Sequence, residues 1–192
     1  MKEAIVAAFE QSIAAKKAFL AENVDALIAV IDLIAGCFRR GSKLLIFGNG
    51  GSAADAQHIA AEFVNRFRIE RPPLPALALT TDTSAITSIA NDYDYAQIFA
   101  KQVKALGKDG DVALAISTSG NAANVLNALD TCKQSGITTV GLTGGDGGKM
   151  VGKVDFLLRV SSSTATARIQ ETHILIGHVI CELVDATLFP AA

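Results

Sequence analysis

The stretch of residues 44–65 limits the possible folds of this chain more than any other segment. Its first four residues are apolar and predict a buried strand. Gly48, Gly50 and Gly51 follow, and they predict a tight turn whose backbone can come close to a ligand. Ser52 is then expected to cap a helix, whose free N–H groups and positive dipole end can bind a phosphate.

The same predicted helix carries an ionisable pair, His58 and Glu62. The two residues are four positions apart, so both side chains point from one helical face. An exposed salt bridge and a satisfied core pair are both possible. Metal binding or proton transfer is a third possibility, because histidine is the commonest metal ligand and titrates near neutral pH.

The predicted final helix brings a second polar group toward the sheet. It carries Gln170, Glu171, His173 and His178, so all three histidines of the chain fall on two segments. Gln170 and His178 are separated by about 12 Å along a straight helix, which is long for one ion. Either the helix is irregular near Gln170, or some ligands come from a second subunit. His173 is alternatively a core or interface residue.

Apolar segments that alternate with helical patterns predict the fold class. The predicted strands are 44–47, 77–80, 112–117, 137–142 and 155–160. The predicted helices are 2–20, 23–40, 52–67, 84–91, 95–106, 122–134 and 168–188. Such alternation on short connections favours an α/β fold, a three-layer αβα sandwich with a five-stranded parallel sheet.

The whole chain, 1–192, is expected to form a single domain. Residues 41–192 would form the α/β core. Residues 1–40 would add two helices, the second capped by Asn23, that pack against another copy of the chain or across one sheet face.

A second loop with ligand-binding character follows the third predicted strand. Ser117, Thr118 and Ser119 are three consecutive hydroxyl residues at a strand-to-helix junction. They could be helix caps, but one hydroxyl is enough for a cap. Because the carboxyl ends of neighbouring parallel strands meet at one crevice, we expect these residues and Ser52 to reach the same phosphate.

Composition excludes several classes of function. The net charge of −2 gives no electrostatic reason to expect nucleic-acid binding, and no apolar run is long enough to span a membrane. The N-terminal residues lack the pattern of a signal peptide. Cys37, Cys132 and Cys181 are scattered, and we interpret them as reduced core thiols of a cytoplasmic protein.

The glycine turn also has a rival interpretation. Gly48, Gly50 and Ala53 fit the dinucleotide-binding pattern G-x-G-x-x-G/A. That pattern requires an acidic residue about 20 positions further on, whereas Asp82 is about 30 positions past the turn. A nicotinamide cofactor is therefore the less favoured interpretation.

At these residues the chain resembles the phosphoheptose isomerases of the sugar isomerase (SIS) domain superfamily, over nearly its whole length. The motifs that carry the resemblance are Gly48-Asn-Gly-Gly-Ser, His58 with Glu62, Asn91-Asp92, Ser117-Thr-Ser-Gly-Asn, Leu142-Thr-Gly-Gly-Asp-Gly-Gly-Lys-Met, and Arg168-Ile-Gln-Glu with His178. Two positions differ from the family pattern. Ala122 replaces a usual serine, which removes one phosphate contact, and Ala167 replaces a usual acidic residue, which removes a sugar-hydroxyl contact.

The resemblance implies an aldose–ketose isomerase that converts sedoheptulose 7-phosphate to D-glycero-D-manno-heptose 7-phosphate. This reaction is the first step toward the heptose of bacterial lipopolysaccharide. The resemblance also implies one zinc ion per subunit, held by His58, Glu62, Gln170 and His178. It further implies a homotetramer with sites at the subunit interfaces, which would resolve the 12 Å separation noted above.

We assign the catalytic roles to Glu62, as the base, and to His178, as the acid or proton shuttle. Asp92 and Arg66 would orient sugar hydroxyls or each other's charge, although Arg66 could equally form a surface salt bridge. The predicted substrate-binding residues are Asn49, Gly50, Gly51, Ser52, Arg66, Asn91, Asp92, Ser117, Thr118, Ser119 and Gln170.

A related branch keeps the fold but binds the replication initiator DnaA instead of acting as an enzyme. This chain is similar to that branch at Asn65-Arg-Phe, Glu70-Arg-Pro and Asp185-Ala-Thr-Leu-Phe-Pro. DnaA binding would depend on an exposed end at Leu188 and Phe189, which could instead pack within the oligomer. That branch lacks the acid/base pair, so the presence of Glu62 and His178 favours catalysis.

Overall fold

A computed structural model describes residues 1–190 of the chain and contains a five-stranded, fully parallel sheet. The strands are β1 (Leu44–Gly48), β2 (Ala76–Ala78), β3 (Val112–Ser117), β4 (Thr138–Gly144) and β5 (Phe156–Val160). The helices are α1 (Lys2–Arg39), α2 (Gly51–Val64), α3 (Thr83–Asp92), α4 (Ile98–Leu106), α5 (Ala123–Gln134) and α6 (Thr166–Leu188). Short 3₁₀ turns lie at Tyr95–Gln97 and Gly148–Met150.

Helices cover both faces of the sheet, which confirms the predicted three-layer sandwich. In β1, Leu44 and Ile46 pack into a core shared with α1, α2 and α6. Leu45 and Phe47 point the other way, into a core shared with α4 and α5. Because both of its faces are buried, β1 has no polar side chain at any position, rather than at alternate ones.

The strand order β2-β1-β3-β4-β5 places a topological switch point between β1 and β3. From β1 the chain continues outward to β2, whereas from β3 it continues in the opposite direction to β4. Gly48, the last residue of β1, is in register with Ile116 near the end of β3. The loops after these two strands therefore border one crevice, the usual ligand position in such sheets.

The prediction of two N-terminal helices capped at Asn23 is wrong, because α1 is one continuous helix. Asn23 is buried in its interior, where its Nδ2 donates to the Phe19 carbonyl at 2.9 Å and to the Arg159 carbonyl at 3.3 Å. Its Oδ1 accepts from the Arg159 backbone N–H at 3.3 Å. Asn23 therefore provides hydrogen-bond partners for the outer edge of β5. This tertiary contact explains why a polar residue lies inside the helix, although in the sequence it suggested a helix start.

Two expectations from composition can be compared with the structure. The three cysteines are free and buried, and burial raises the pKa of the Cys37 thiol to about 11 and that of Cys132 to about 12. They are therefore protonated core thiols at neutral pH. Within residues 1–190, no helix combines the length and the apolar character needed to cross a bilayer.

Candidate active site

The turn between β1 and α2 begins the candidate site. Gly50 has φ +54° and ψ −121°, a conformation that favours glycine. A side chain at Gly48 would lie 2.7 Å from the Ile116 carbonyl oxygen, so glycine is also needed where β1 meets β3. Within the turn, the Ser52 N–H donates to the Asn49 carbonyl and the Ala53 N–H donates to the Gly50 carbonyl.

The predicted cap at Ser52 is wrong. The N-cap position is Gly50, without a side-chain hydrogen bond, and Ser52 is buried as the second residue of α2. The turn is too tight to leave Ser52 outside the helix. Within the described residues, the N–H groups of Gly50 and Gly51 make no hydrogen bond, so they remain for a ligand.

The loop between β3 and α5 carries the three predicted hydroxyls. Ser117 is buried, Thr118 is half-buried and Ser119 is exposed. The N-cap of α5 is Ala122, again without a side-chain hydrogen bond, so none of the three hydroxyls caps this helix. Their alternative interpretation as helix caps is therefore not what the structure shows.

The loop between β4 and β5 packs against the loop between β3 and α5, here called the hydroxyl loop. Asn121 Nδ2 donates to the Ser119 carbonyl at 2.9 Å, and Asn121 Oδ1 accepts from the Lys149 backbone N–H at 3.1 Å. Gly120 has φ +63°, and a side chain there would lie 1.9 Å from the Gly147 carbonyl oxygen. This glycine-rich segment thus packs closely against the hydroxyl loop.

His58, Glu62 and His178 converge where α2 and α6 run side by side. His58 Nε2 lies 3.1 Å from Glu62 Oε1 and 3.1 Å from His178 Nε2. The ring of Phe67 stacks on that of His178, with the centroids 5.5 Å apart. The side chain of His58 is 47% exposed, so the cluster is accessible from solvent.

Gln170 does not join this cluster within one chain. Helix α6 is continuous from Thr166 to Leu188, so the suggestion of an irregular start near Gln170 is wrong. The Gln170 amide instead packs against Gly51, where an added side chain would lie 2.5 Å from Gln170 Nε2. If Gln170 binds the same ion as His178, it must therefore come from another subunit.

Two donor-atom separations in the cluster resemble those of a zinc site. Tetrahedral zinc with Zn–N bonds of about 2.0–2.1 Å holds neighbouring donor atoms roughly 3.3 Å apart. The two 3.1 Å separations around His58 are close to that value. In residues 1–190, however, no group of three or more His, Cys, Asp and Glu side chains is arranged so that it could hold a metal ion.

Two further ionisable residues lie on the same helices. Asp55 precedes His58 by one turn on α2, and burial raises the pKa of its carboxyl while His58 and His178 lower it. Sequence reasoning did not select Asp55, although its spacing to His58 and Glu62 places it on their face. His173 is fully buried in α6 and donates from Nε2 to the Thr143 carbonyl at 3.1 Å, so it is a core residue.

Other predicted site residues have different neighbours. Arg66 forms an exposed pair with Glu70, 3.6 Å from Nε to Oε2. Asn91 and Asp92 contact each other at 2.8 Å on the exposed end of α3. Asp82, the acid required by the dinucleotide interpretation, accepts from the Ala85 N–H and caps α3. Its helix-capping role gives that interpretation no support.

The fold, with its two phosphate-type loops at the switch point, is that of the SIS domain, whose family model matches residues 8–144. The chain is 52% identical to the phosphoheptose isomerase of Thermodesulfovibrio yellowstonii over 100% of its own length and 96% of the relative. It is 50% identical to that of Aneurinibacillus thermoaerophilus, over 98% and 96% of the two chains.

Solved structures agree with these relatives. The phosphoheptose isomerase of Neisseria gonorrhoeae superposes with a TM-score of 0.91 at 45% identity, over 96% of this chain and 98% of that one. The Francisella tularensis enzyme gives 0.92 at 41% identity, over 95% and 97%. The chain therefore belongs to the phosphoheptose isomerase family of SIS domain proteins.

Proposed function

We propose that this chain interconverts sedoheptulose 7-phosphate and D-glycero-D-manno-heptose 7-phosphate. Its relatives at about 50% identity over nearly the full chain are named phosphoheptose isomerases. The observation that carries the proposal is the contact of Glu62 and His178 with the same His58 side chain, each at 3.1 Å. An isomerase needs a base and an acid at one place.

The phosphate would bind at the switch point. Free N–H groups at Gly50 and Gly51 and the hydroxyls of Ser117, Thr118 and Ser119 offer a neutral set of donors. From Gly51 to His58, α2 rises about 10 Å, a separation that an extended heptose phosphate can span. The remote phosphate would thus hold the reacting end of the sugar near the acid/base pair.

Proton transfer between C1 and C2 through an enediol is assigned to two side chains. Glu62 contacts His58 through Oε1, which leaves Oε2 to take the carbon-bound proton. His178 would serve the carbonyl oxygen, with its ring held by Phe67 and His58. Asn91, Asp92 and Arg66 would orient sugar hydroxyls, as the family resemblance implies.

A zinc ion is part of the proposal, with His58, Glu62 and His178 as ligands and Gln170 contributed by another subunit. When bound, the metal would polarise the carbonyl and stabilise the enediolate. Purified protein should carry about one zinc per chain by elemental analysis, and H58A or H178A should lose it. H173Q is the matched control, because His173 is buried elsewhere and its loss should leave the zinc content unchanged. Zinc retained fully by both ligand variants would contradict the assignment.

A homotetramer in the cytoplasm, serving lipopolysaccharide heptose synthesis, completes the proposal. An uncovered apolar face of α1 supports self-association. The relatives reported above are named as isomerases and give no support to DnaA binding. That alternative also required an exposed end, whereas Leu188 and Phe189 are half-buried against the core.

The reaction is tested by mixing purified protein with sedoheptulose 7-phosphate and following the product by NMR. E62Q should lower turnover by at least about a hundredfold, because a positioned base contributes that much or more. E10Q, an exposed carboxylate-to-amide change on α1, is the control and should behave as wild type. Wild-type turnover in E62Q would refute the base assignment, and absence of product with the wild type would refute the reaction.

A further inference from the structure

We infer that Asn124 is a positioning residue that fixes the phosphate-binding turn through a side-chain clamp with Asn49. Asn49 Nδ2 donates to Asn124 Oδ1 at 2.8 Å, and Asn124 Nδ2 donates to Asn49 Oδ1 at 2.8 Å. These reciprocal bonds are here called the amide clamp. The inference rests on the phosphate site proposed above, whose substrate-binding residues do not include Asn124.

The amide clamp joins the two loops of the switch point. Asn49 directly follows β1, and Asn124 is the second residue of α5, which follows β3. β1 and β3 are neighbours in the sheet, so the clamp continues their pairing beyond the strand ends with side chains. It therefore sets the distance between the glycine turn and the hydroxyl loop.

Asn124 is oriented by its own helix and is not available to a ligand. It is only 3% exposed, and its Oδ1 also accepts from the Val125 backbone N–H at 2.9 Å. The more accessible Asn49 also accepts a longer contact from the Tyr95 hydroxyl at 3.4 Å. The amide clamp thus links the buried start of α5 to the glycine turn. In that turn Gly50 has no side chain that could hold its unusual backbone conformation.

A role in positioning predicts weaker phosphate binding with little change in chemistry, because His58, which contacts both members of the acid/base pair, lies about 10 Å from Gly51 along α2. N124A should raise KM for sedoheptulose 7-phosphate about tenfold, or about 1.4 kcal/mol, because the substrate would then have to order the glycine turn that the clamp no longer holds. The Kd for inorganic phosphate, measured by calorimetry, should rise by a similar factor. Turnover at saturation should stay within about threefold of wild type.

The matched control is N127A, one turn further along α5. Asn127 also loses an amide hydrogen bond when truncated, but its Nδ2 donates to the Ala96 carbonyl at 3.1 Å, in the 3₁₀ turn at Tyr95–Gln97 rather than in either loop. N127A should therefore leave KM and phosphate affinity unchanged. If N124A lowers stability without a larger effect on phosphate than N127A, the clamp role is wrong.

A double-substitution cycle tests the pairing itself. N49A should weaken phosphate binding at least as much as N124A, because Asn49 is also a predicted substrate-binding residue. Adding N124A to N49A should cause little further loss, because the clamp is already broken. Additive effects would overturn the inference. If N124A does not fold, N124S keeps a neutral polar side chain that is too short to complete the clamp and should raise the phosphate Kd; an unchanged Kd would count against the clamp.

Phosphate binding and catalysis are read separately, so the inference and the isomerase proposal can fail independently. Wild-type protein that binds phosphate but makes no heptose product refutes the reaction, while the clamp is still decided by the phosphate Kd of N124A. Wild-type protein that isomerises the sugar with the KM of N124A unchanged refutes only the clamp. Wild-type protein that does not bind phosphate refutes both the clamp and the proposed phosphate site.

Discussion

His173 illustrates how burial changes the chemistry of an imidazole. Its side chain is fully buried, and Nδ1 has no hydrogen-bond partner among the described residues. Burial lowers its pKa from 6.5 to about 4, partly opposed by the hydrogen bond to Thr143. The folded protein therefore holds this ring neutral where the unfolded chain would bind a proton.

The sign of the resulting pH dependence follows directly. Above pH 6.5 the ring is neutral in both the folded and the unfolded protein, so His173 does not lower the free energy of unfolding. As the pH falls toward 4, only the unfolded state gains a proton, so the free energy of unfolding decreases. Between these pH values His173 should lower the free energy of unfolding by about 3 kcal/mol. Urea titrations of wild type and H173Q between pH 7 and 4 would measure it.

H173Q keeps a donor for the Thr143 carbonyl but cannot titrate, so its stability should fall less steeply with acid. Equal slopes for wild type and H173Q would contradict the role of His173.

The spacing of His58 and Glu62 was enough to predict that both lie on one face, because helical periodicity is local. The approach of His178 could be inferred only from the family resemblance, since it depends on how α6 packs on α2. Asn124 gave no local signal, because its partner Asn49 is distant in sequence. Ligand and substrate roles for all these residues remain predictions.

The strands were the most predictable elements. Strand β3 was predicted with its observed bounds, and the other four strands to within two residues. Buried parallel strands are continuous apolar runs, which polar loops delimit sharply. The error at α1 has the opposite cause, because the polar residue that suggested a break has its partner on β5, far along the chain.

The contacts of Asn23 predict a measurable contribution to stability. N23A should lower the free energy of unfolding by about 1–3 kcal/mol, because it leaves the Arg159 N–H and carbonyl of β5 without partners. This loss should occur even though alanine favours helix. Urea unfolding measures it, with the exposed position variant Q11A on the same helix as control. A loss no larger than that of Q11A would show that the edge contacts do not matter.

In the part of the chain that the structure describes, α1 carries an exposed apolar stripe. Its members recur at helical spacing and are each more than 40% exposed: Ile5, Phe9, Ile13, Leu20, Val24 and Ile28. A contiguous exposed apolar face of this kind marks an association surface. The stripe supports the proposed tetramer. One face of α1 packs across the sheet, and the stripe on its other face is free to contact another copy.

Charges placed in this stripe should reduce the oligomer. The double variant F9D/I13D should shift the mass measured by light scattering toward the monomer, because two carboxylates would have to be buried in the interface. Q11D adds a charge to the same helix at an exposed polar position and should leave the mass unchanged. A monomeric wild type, or an unchanged mass for F9D/I13D, would refute this interface.

The pairing of β1 with β3 has a kinetic consequence. Leu44 and Val112 are in register although they are far apart in the sequence, so the crevice cannot exist before this long-range pairing forms. A bound anion would then stabilise the native state more than the conformations that precede this pairing during folding. Phosphate should accordingly lengthen the lifetime of the native state in denaturant and leave the speed of refolding nearly unaltered.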